Sequence, residues 1–344
     1  MGGRATEKAQ QMTRFSRRSF TAAAGASLGL GLTGCSGNIV SGTRLRLAHT
    51  LNSDHPVHKG MEFMGEKLAE LSSGSMSIDI YPNGQLGSER QLIELLQIGA
   101  LAMTKVSAIS VEGFSPSMKL FSIPYLFKDK EHYWRVLNSQ LGTSLLDSLR
   151  RVRLQGLGYY DAGSRSFYMS ETPVRHPDDL ISKKIRVLPS RTAIDMIEAM
   201  GGAATPMPSG ELYTALQQGV VDGAENNPPS YYLSKDFEVA KYYTLDEHTS
   251  VPDLLIMSRR VFDGFTEQQR DWVREAMAAS VLHQRKLWAE AEELALSEVA
   301  KAGVEIIYPD KQPFRDAVAP MKALLSDSEL GTLIRQIEAM ETKI

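Results

Sequence analysis

The segment from Asp54 to His58 contains residues whose types and spacing could hold a metal ion. Asp54, His55 and His58 offer one carboxylate and two imidazoles, which are common ligands of zinc. Pro56 lies between the two histidines, and a proline at this place is typical of the first turn of a helix. A second group of ligands is absent from the sequence, so we predict a capped helix start here and no metal site.

Motifs of several large enzyme classes are missing from the chain. There is no HExxH zinc-protease motif, no Walker phosphate loop and no protein-kinase motif. Gly29, Gly31 and Gly34 have the spacing of a dinucleotide-binding GxGxxG, but no βαβ pattern surrounds them. The single cysteine, Cys35, rules out an internal disulfide and a zinc site built on several thiolates. These observations favour a binding protein over an enzyme, and they call for no cofactor.

The composition is that of an ordinary globular protein. Of the 344 residues, 42% are hydrophobic and 23% are charged, which excludes a disordered chain or a fibre. The length favours two domains, with one large domain as the alternative. The net charge of -3 shows no basic excess, so nucleic acid is not a predicted partner.

Residues 1–34 have the pattern of an export signal. Five basic residues and one acid precede a small apolar run from Thr21 to Leu32 that is too short to span a membrane, which takes ~20 residues. The string Ser16–Phe20 resembles the twin-arginine export signal, and Leu32–Cys35 resembles the lipobox of bacterial lipoproteins. We therefore predict a lipid anchor on Cys35 followed by a tether over residues 35–43. The alternative is an ordinary cleaved signal that ends near a cysteine.

Strand and helix patterns alternate along the rest of the chain. Leu45 and Leu47 alternate with arginines as in a strand, and an apolar stripe from Val57 to Leu71 follows at helical spacing. Ser88, with Gln91 three residues later, predicts a capping box at the start of a second helix. Further strands are predicted at Met76–Tyr81, Leu101–Val106, Gln155–Tyr160, Ser166–Met169, Ile185–Leu188, Val220–Ala224 and Leu254–Met257. This order predicts an α/β fold with parallel sheets covered by helices.

One predicted helix is unusually long. Residues 267–302 contain no proline or glycine, and their apolar residues recur near the helical period. A helix of this length would run about 50 Å, enough to lie across two domains and join them. Two shorter helices separated near residues 280–283 are the alternative.

Five ordered motifs stand out in the sequence, namely Pro82–Glu89, Gly163–Arg165, Lys184–Val187, Pro206–Pro208 and Glu211–Asn226. Together they resemble one family, the dicarboxylate-binding (DctP) solute receptors of TRAP transporters. The resemblance implies a periplasmic-binding-protein-like fold, in which two α/β domains flank a ligand cleft and a long helix spans both. The domain boundaries it implies are residues 44–163 and 252–291 for domain I, and residues 164–251 and 292–344 for domain II.

The resemblance also implies which residues of domain II hold the ligand. Arg186 would bind a carboxylate, and guanidinium suits this task because it stays charged and offers two parallel N–H donors. A solvated arginine at a strand edge is the alternative. Arg165 matches a second arginine of the family, although a structural ion pair with Glu225 is the alternative. Asn226 matches the amide contact of the family, although asparagine also suits the turn before the following prolines.

Domain I must contact the ligand as well, because a ligand closes a cleft only if it binds the closed state better than the open one. Our candidates are Glu89, at the start of the second helix, and His55 and Lys59, at the start of the first. His55 and Lys59 are four residues apart, a spacing that places them on one helix face. The alternatives are a favourable helix-dipole interaction for Glu89 and plain solvent exposure for the other two.

The chain departs from the resembled family at Ser209, where relatives commonly carry an aromatic residue over the ligand. A hydroxyl there removes a stacking surface and adds a donor. Tyr213, Tyr231 and Tyr232 could replace that surface or could instead pack around the hinge.

We predict a lipid-tethered periplasmic receptor that captures a small organic acid and delivers it to a membrane permease. The resemblance names the two integral subunits of a TRAP system as its partners. The strings Gly223–Pro229 and His55–Lys59 resemble those of family members that bind sugar acids such as hexuronates, rather than C4-dicarboxylates or sialic acid. The alternatives are a secreted lyase or hydrolase that acts on acidic sugars, and a lipoprotein that scaffolds other proteins.

Overall fold

Eleven β-strands are found within residues 42–341, the part of the chain that the computed structural model describes. In chain order they are β1 (Thr43–Ala48), β2 (Met76–Tyr81), β3 (Met103–Ser107), β4 (Leu154–Tyr160), β5 (Ser164–Met169), β6 (Lys184–Val187), β7 (Ala203–Pro206), β8 (Gly223–Asn226), β9 (Tyr242–Ser250), β10 (Asp253–Ser258) and β11 (Glu305–Ile307). They form a five-stranded sheet in the order β2-β1-β3-β10-β4 and a six-stranded sheet in the order β11-β9-β5-β8-β6-β7. We call the part of the molecule built on the five-stranded sheet the first half, and the part built on the six-stranded sheet the second half.

Helices pack around both sheets. They are α1 (Pro56–Leu71), α2 (Glu89–Ile98), α3 (Ala108–Val111), α4 (Lys130–Leu137), α5 (Gln140–Ser148), α6 (Arg191–Ala199), α7 (Leu212–Gln217), α8 (Pro228–Leu233), α9 (Arg259–Asp263), α10 (Glu267–Lys301), α11 (Gln312–Ala323) and α12 (Glu329–Ala339). The predicted α/β fold class is confirmed. In the described part of the chain, no helix is both long enough and apolar enough to cross a bilayer.

Two helix starts follow the sequence prediction. His55 caps α1, because its Nδ1 accepts a hydrogen bond from the Val57 N–H at 3.2 Å, and Pro56 lies in the first turn. At α2, the Oε1 of Gln91 accepts a hydrogen bond from the Ser88 N–H at 2.9 Å, as the predicted capping box requires. These caps set the positions of His55 and of Glu89, the first residue of α2.

Both sheets are mixed, whereas the βαβα order of the sequence predicts parallel sheets. Strand β10 runs antiparallel to β3 and β4, and β5 runs antiparallel to β8 and β9. The chain crosses between the sheets after β4 and again after β9, through connections of a few residues. A strand that enters directly from the other sheet needs no helical crossover, so it is free to pair antiparallel. The sequence analysis also missed β7, β9 and β11.

The long helix α10 is continuous over 35 residues, so the predicted single helix is confirmed and the alternative break near residues 280–283 is wrong. It packs against α1 of the first half and α8 of the second. The approach to α1 is close, because a Cβ on Gly60 would lie 2.7 Å from the Cβ of Gln284. The Gln284 side chain bonds both the N–H and the carbonyl of Asp161, each at 2.8 Å, where the chain leaves the first sheet.

Apolar clusters cover the two sheets, and the C-terminal helix belongs with the first. Ile334 and Ile337 of α12 are buried among first-half residues such as Trp134. The imidazole of His132 also contacts the carbonyl of Ile337 at 2.9 Å. The predicted boundaries assign α12 to domain II, but its apolar face is covered by the first half, so we place it there. The other boundaries remain a prediction.

Candidate functional site

The three predicted residues of the second half lie on neighbouring strands. Arg165 is on β5, Arg186 on β6 and Asn226 at the end of β8, which lies between the other two strands. In the strand register, Asn226 is opposite Ser166, and Arg186 is opposite Ala224. The sheet therefore gathers side chains that are up to 61 residues apart in the sequence.

Arg165 is paired with an acid inside the protein. Its Nε contacts the Glu225 carboxylate, and its Nη2 donates to Oε1 and to the backbone carbonyl of Glu225 at 2.9 and 2.7 Å. Its Nη1 donates to the Oδ1 of Asn226 at 2.9 Å. These contacts use four of the five N–H donors of a guanidinium. The structural ion pair left open by the sequence is therefore present.

A buried histidine supports this ion pair. His248 lies 2.8 Å from an Asp246 carboxylate oxygen through Nδ1 and 3.5 Å from Glu225 through Nε2. Burial opposes the charge on His248, but Asp246 and Glu225 outweigh it and raise the pKa to about 9. Burial likewise opposes the charge on Glu225, but Arg165 and His248 outweigh it and lower the pKa to about 2. The Arg165 cluster, which we define as Arg165, Glu225, Asp246 and His248, is thus a set of mutually paired charges.

Arg186 has no such acid partner. It is fully buried, with 0% exposure; its Nε and Nη2 donate to the Met207 carbonyl at 3.0 and 2.8 Å, and Nη2 also donates to the Ser209 hydroxyl at 3.1 Å. Its Nη1 is buried and has no hydrogen-bond partner anywhere in residues 42–341. Burial, helped by the nearby charge of Arg165, lowers the pKa of Arg186. A buried donor of this kind is rare in folded proteins, and an anionic ligand would satisfy it.

The side-chain carbonyl oxygen of Asn226 already accepts hydrogen bonds from the protein. Its Oδ1 accepts hydrogen bonds from Arg165 and from the Asn227 N–H, both at 2.9 Å. The amide Nδ2 is therefore the group that remains to donate to a ligand. Asn227, the next residue, caps α8 through its own side chain, so the helix-start role belongs to it and not to Asn226.

Glu89 lies in a buried network in the first half. One oxygen of its carboxylate contacts the Lys105 ammonium at 3.3 Å, the other accepts from the Ser110 hydroxyl at 2.5 Å, and the Ser107 N–H donates to both. Lys105 also pairs with Asp253 at 3.1 Å. Burial opposes the charge on Lys105, but Asp253 and Glu89 outweigh it and raise its pKa. The Lys105 ammonium is therefore paired within the first half, and its two carboxylates outnumber it by one negative charge.

The two halves approach each other at these charged groups. Burial opposes the charge on Arg165, but the Glu225 carboxylate outweighs it and raises the pKa of Arg165. The charge of Asp253, at the start of β10 in the first half, acts in the same direction as Glu225. His55 makes a direct contact across the halves, since its Nε2 lies 3.2 Å from the Ser230 hydroxyl of α8. Because Nδ1 of His55 accepts from the backbone, the neutral ring carries its proton on Nε2 and donates it to Ser230.

The structure separates His55 from Lys59. His55 is 2% exposed, and burial, followed by the charge of Lys105, holds its pKa well below the ordinary value. Lys59 is exposed and pairs with Glu62 at 3.0 Å. His55 precedes the helix as its cap, so the spacing of four residues does not place the two side chains on one helix face.

Sequence reasoning missed Lys105, Asp253 and His49. Lys105 lies in a strand whose residues are all buried, and the signal that could have found it is a lysine inside an otherwise apolar run. His49 follows β1 and lies 2.9 Å from His58; burial, followed by the charge of Lys105, lowers its pKa to about 3. Ionisable residues buried at strand ends are candidates for a binding site.

The side chains of the candidate site are buried in this conformation. Arg165, Arg186 and His55 are all less than a tenth exposed. A surface concavity of about 430 Å³ is lined instead by other residues, among them Glu247 and Glu292. The arginines are therefore not open to solvent in this conformation.

Two predictions concern other kinds of site. No group of three or more histidine, cysteine, aspartate or glutamate side chains arranged to hold a metal ion occurs among the residues described. The predicted lipidation site, Cys35, and the export signal of residues 1–34 lie outside the described residues.

The sequence of the chain matches that of a known protein family. A family model described as bacterial extracellular solute-binding protein, family 7 (DctP), matches residues 47–326. This chain belongs to that family. The prediction of a TRAP-type solute receptor is confirmed at the level of the family.

Curated relatives of this family 7 protein include two of particular interest. An uncharacterized protein of Salmonella typhimurium is 42% identical over 281 residues, which cover 81% of this chain and 86% of the relative. The 2,3-diketo-L-gulonate-binding periplasmic protein of Escherichia coli is 30% identical, over 84% of this chain and 88% of the relative.

Solved structures are similar over most of their length. A TRAP periplasmic solute-binding protein from Xanthobacter autotrophicus with bound β-D-galacturonate is 40% identical, with a TM-score of 0.83 over 86% of this chain and 99% of that one. One from Pseudomonas putida with bound D-glucuronate is 35% identical, with a TM-score of 0.84 over 87% of this chain and 98% of that one. The two-domain receptor fold predicted for this chain is confirmed by these likenesses.

Proposed function

We propose that this TRAP solute receptor captures a hexuronate and releases it unchanged to its membrane permease. The observation that carries the proposal is the buried Nη1 of Arg186, which has no hydrogen-bond partner among the described residues, while the rest of the guanidinium donates to a carbonyl and a hydroxyl. The similar structures with bound galacturonate and glucuronate support the choice of a sugar acid. A hexuronate supplies one carboxylate for the guanidinium and several hydroxyls for the surrounding polar groups.

Each site residue has a distinct part in this proposal. Arg186 binds the carboxylate through Nη1, while Met207 and Ser209 hold the rest of the guanidinium in place. Arg165 offers its remaining Nη1–H, and Asn226 offers its amide Nδ2. In the first half, Glu89 and His55 border the sugar ring or position the groups that do. Lys59 is left out because it is exposed and paired with Glu62.

Binding and closure are coupled in this mechanism. An open receptor exposes the Arg186 guanidinium to water, and an acid that binds it is then enclosed as the halves come together. The ligand shifts the receptor towards the closed state only to the extent that the first half also contacts the ligand. Delivery to the permease reverses this step, and no bond of the ligand is made or broken.

A ligand panel tests the proposal and its enzymatic alternative together. Purified protein is titrated by calorimetry with D-glucuronate, D-galacturonate, a C4-dicarboxylate and sialic acid, and each mixture is then analysed for products. We expect binding of at least one hexuronate, with the acid recovered intact. Product formation would favour the secreted lyase or hydrolase. Binding of the C4-dicarboxylate or sialic acid alone would contradict the choice of a sugar acid, and no binding at all would favour a scaffolding lipoprotein.

We also propose that the chain is exported by the twin-arginine route and held at the membrane by a lipid on Cys35. The order of an arginine pair, a short apolar run and a lipobox supports this. The expected result is that wild-type protein sediments with membranes, whereas Cys35→Ala appears in the soluble periplasmic fraction. Identical fractionation of the two would contradict the anchor.

A further inference from the structure

Glu112 is a buried carboxylate of the first half that contacts a helix of the second. It follows directly after α3 and is 5% exposed. Its oxygens accept hydrogen bonds from the Ser190 hydroxyl at 2.6 Å, the Thr192 hydroxyl at 3.0 Å and the Thr192 N–H at 3.3 Å. A fourth donor, the Ser122 hydroxyl at 3.3 Å, comes from its own half. The carboxylate is thus placed at the N-terminus of α6.

Helix α6 begins with an arginine, and Asp195 of the same helix pairs with that arginine at 2.7 Å. Ser190 caps the helix, since its hydroxyl oxygen accepts from the Ala193 N–H at 3.1 Å, and the first helical residue is Arg191. No acid occurs in the first turn of α6. The N-terminus of a helix carries a partial positive charge, so an arginine there is unfavourable and a carboxylate is favourable. Glu112 supplies from the first half the negative charge that the first turn of α6 omits.

The contact joins two segments that border the candidate site. On one side, α3 begins after Ser107, whose N–H donates to Glu89. On the other side, α6 begins five residues after Arg186 on β6. The position of Glu112 therefore couples the arginine-bearing strand and its following helix to the part of the first half that holds Glu89.

We propose that Glu112 is a positioning residue for ligand capture: its carboxylate holds the N-terminus of α6 against the first half when the two halves are closed. The proposal rests on the proposed function, because it concerns the closure that encloses the acid. Glu112 does not touch the ligand. A contact made only in the closed state raises the population of that state, and the apparent affinity rises in proportion.

The test compares Glu112→Gln and Glu112→Ala with wild-type protein. Calorimetry with D-glucuronate and D-galacturonate measures affinity, and small-angle scattering with and without the same acids measures closure. We expect Glu112→Ala to weaken binding roughly tenfold, equivalent to about 1.4 kcal/mol, and to leave the ligand-saturated protein more expanded than wild type. Glu112→Gln keeps the shape and one acceptor oxygen, so its effect is expected to be smaller and in the same direction.

A control variant separates positioning from simple stability. Asp129 accepts a hydrogen bond from the His132 N–H at 2.8 Å and caps α4, so Asp129→Ala removes a carboxylate cap that lies within the first half alone. It is expected to lower the melting temperature of the ligand-free protein without weakening acid binding.

Three outcomes would overturn the role of Glu112. The first is unchanged affinity in both Glu112 variants. The second is a loss of affinity that Asp129→Ala reproduces. The third is unchanged scattering of the ligand-saturated variants. If wild-type protein itself binds neither acid, the proposed function fails, and the role of Glu112 in capture fails with it. If wild-type protein binds an acid and the Glu112 variants bind it equally well, only the role of Glu112 fails.

Discussion

Two buried arginines lie on nearby strands of one sheet, yet their surroundings differ in kind. Arg165 donates hydrogen bonds to the Glu225 carboxylate and to Asn226, and the His248 ring lies 3.5 Å from the same carboxylate. Arg186 is held by a backbone carbonyl and a hydroxyl, and its Nη1 is left without a partner among the described residues. Burial alone does not distinguish the two, because both are less than a tenth exposed.

The difference shows how to recognise a residue that awaits a ligand. A buried guanidinium that the protein neutralises is part of the framework, because its desolvation is offset within the fold. The desolvation cost of a buried guanidinium that makes no ion pair is offset only when an anionic ligand binds to it. By this criterion we propose that Arg186 binds the carboxylate and that Arg165 chiefly fixes Glu225 and Asn226 beside it.

The largest effect is expected from breaking the Arg165 cluster. Arg165→Ala leaves the Glu225 charge buried without its partner, so the free energy of unfolding should fall by ~3–5 kcal/mol. Denaturant unfolding of purified protein measures it. Replacing both residues, in Arg165→Ala with Glu225→Ala, should recover part of that loss. If Arg165→Ala unfolds at the same denaturant concentration as wild type, the cluster is not part of the framework and the comparison fails.

A change at Arg186 should act on binding more than on folding. Arg186→Ala is expected to weaken hexuronate binding by ~1.5–3 kcal/mol, the range for hydrogen bonds to charged groups. Arg186→Lys keeps a charge without the fork, so it should recover only part of the affinity. Calorimetry measures both, with Arg191→Ala as the control, because Arg191 is exposed and pairs with Asp195. Wild-type affinity in Arg186→Ala would place the carboxylate elsewhere.

A further expected effect is a pH dependence of the Arg165 cluster. The pKa of His248 is about 9 in the folded protein, above its ordinary value, so the folded state keeps a proton that the unfolded chain loses. This stabilisation is complete below a pH of about 6.5 and is lost as the pH rises through 9. The melting temperature should therefore fall between pH 7 and 10, and fall less steeply in His248→Gln. Equal slopes in the two proteins would show that His248 is not charged in the fold.

Local signals in the sequence predicted much of the fold. Local features of this kind are the histidine cap and first-turn proline of α1, the capping box of α2 and the uninterrupted residues of α10. Each acts between residues close in the chain, so a single sequence reveals them. Strand β9 was missed because Asp246 and His248 interrupt its apolar pattern. Both are buried there because they pair with each other, and the pair lies beside Glu225.

The candidate site was less accessible to sequence reasoning. The resemblance supplied Arg186, Arg165 and Asn226, but the sequence did not distinguish a paired arginine from an unpaired one. The partners are distant along the chain, since Glu225 is 60 residues from Arg165. Lys105 was overlooked for the same reason, because its balancing acids come from α2 and from β10.

The bonds between Gln284 and Asp161 have a consequence for how the receptor opens. They attach the first crossing of the chain between the sheets to the middle of α10, which itself packs on both halves. Atoms near a rotation axis move little, so we expect the halves to turn about an axis that passes close to this point. The opening should then resemble a twist of the two crossing segments, with the largest displacements at the lips of the cleft farthest from Gln284.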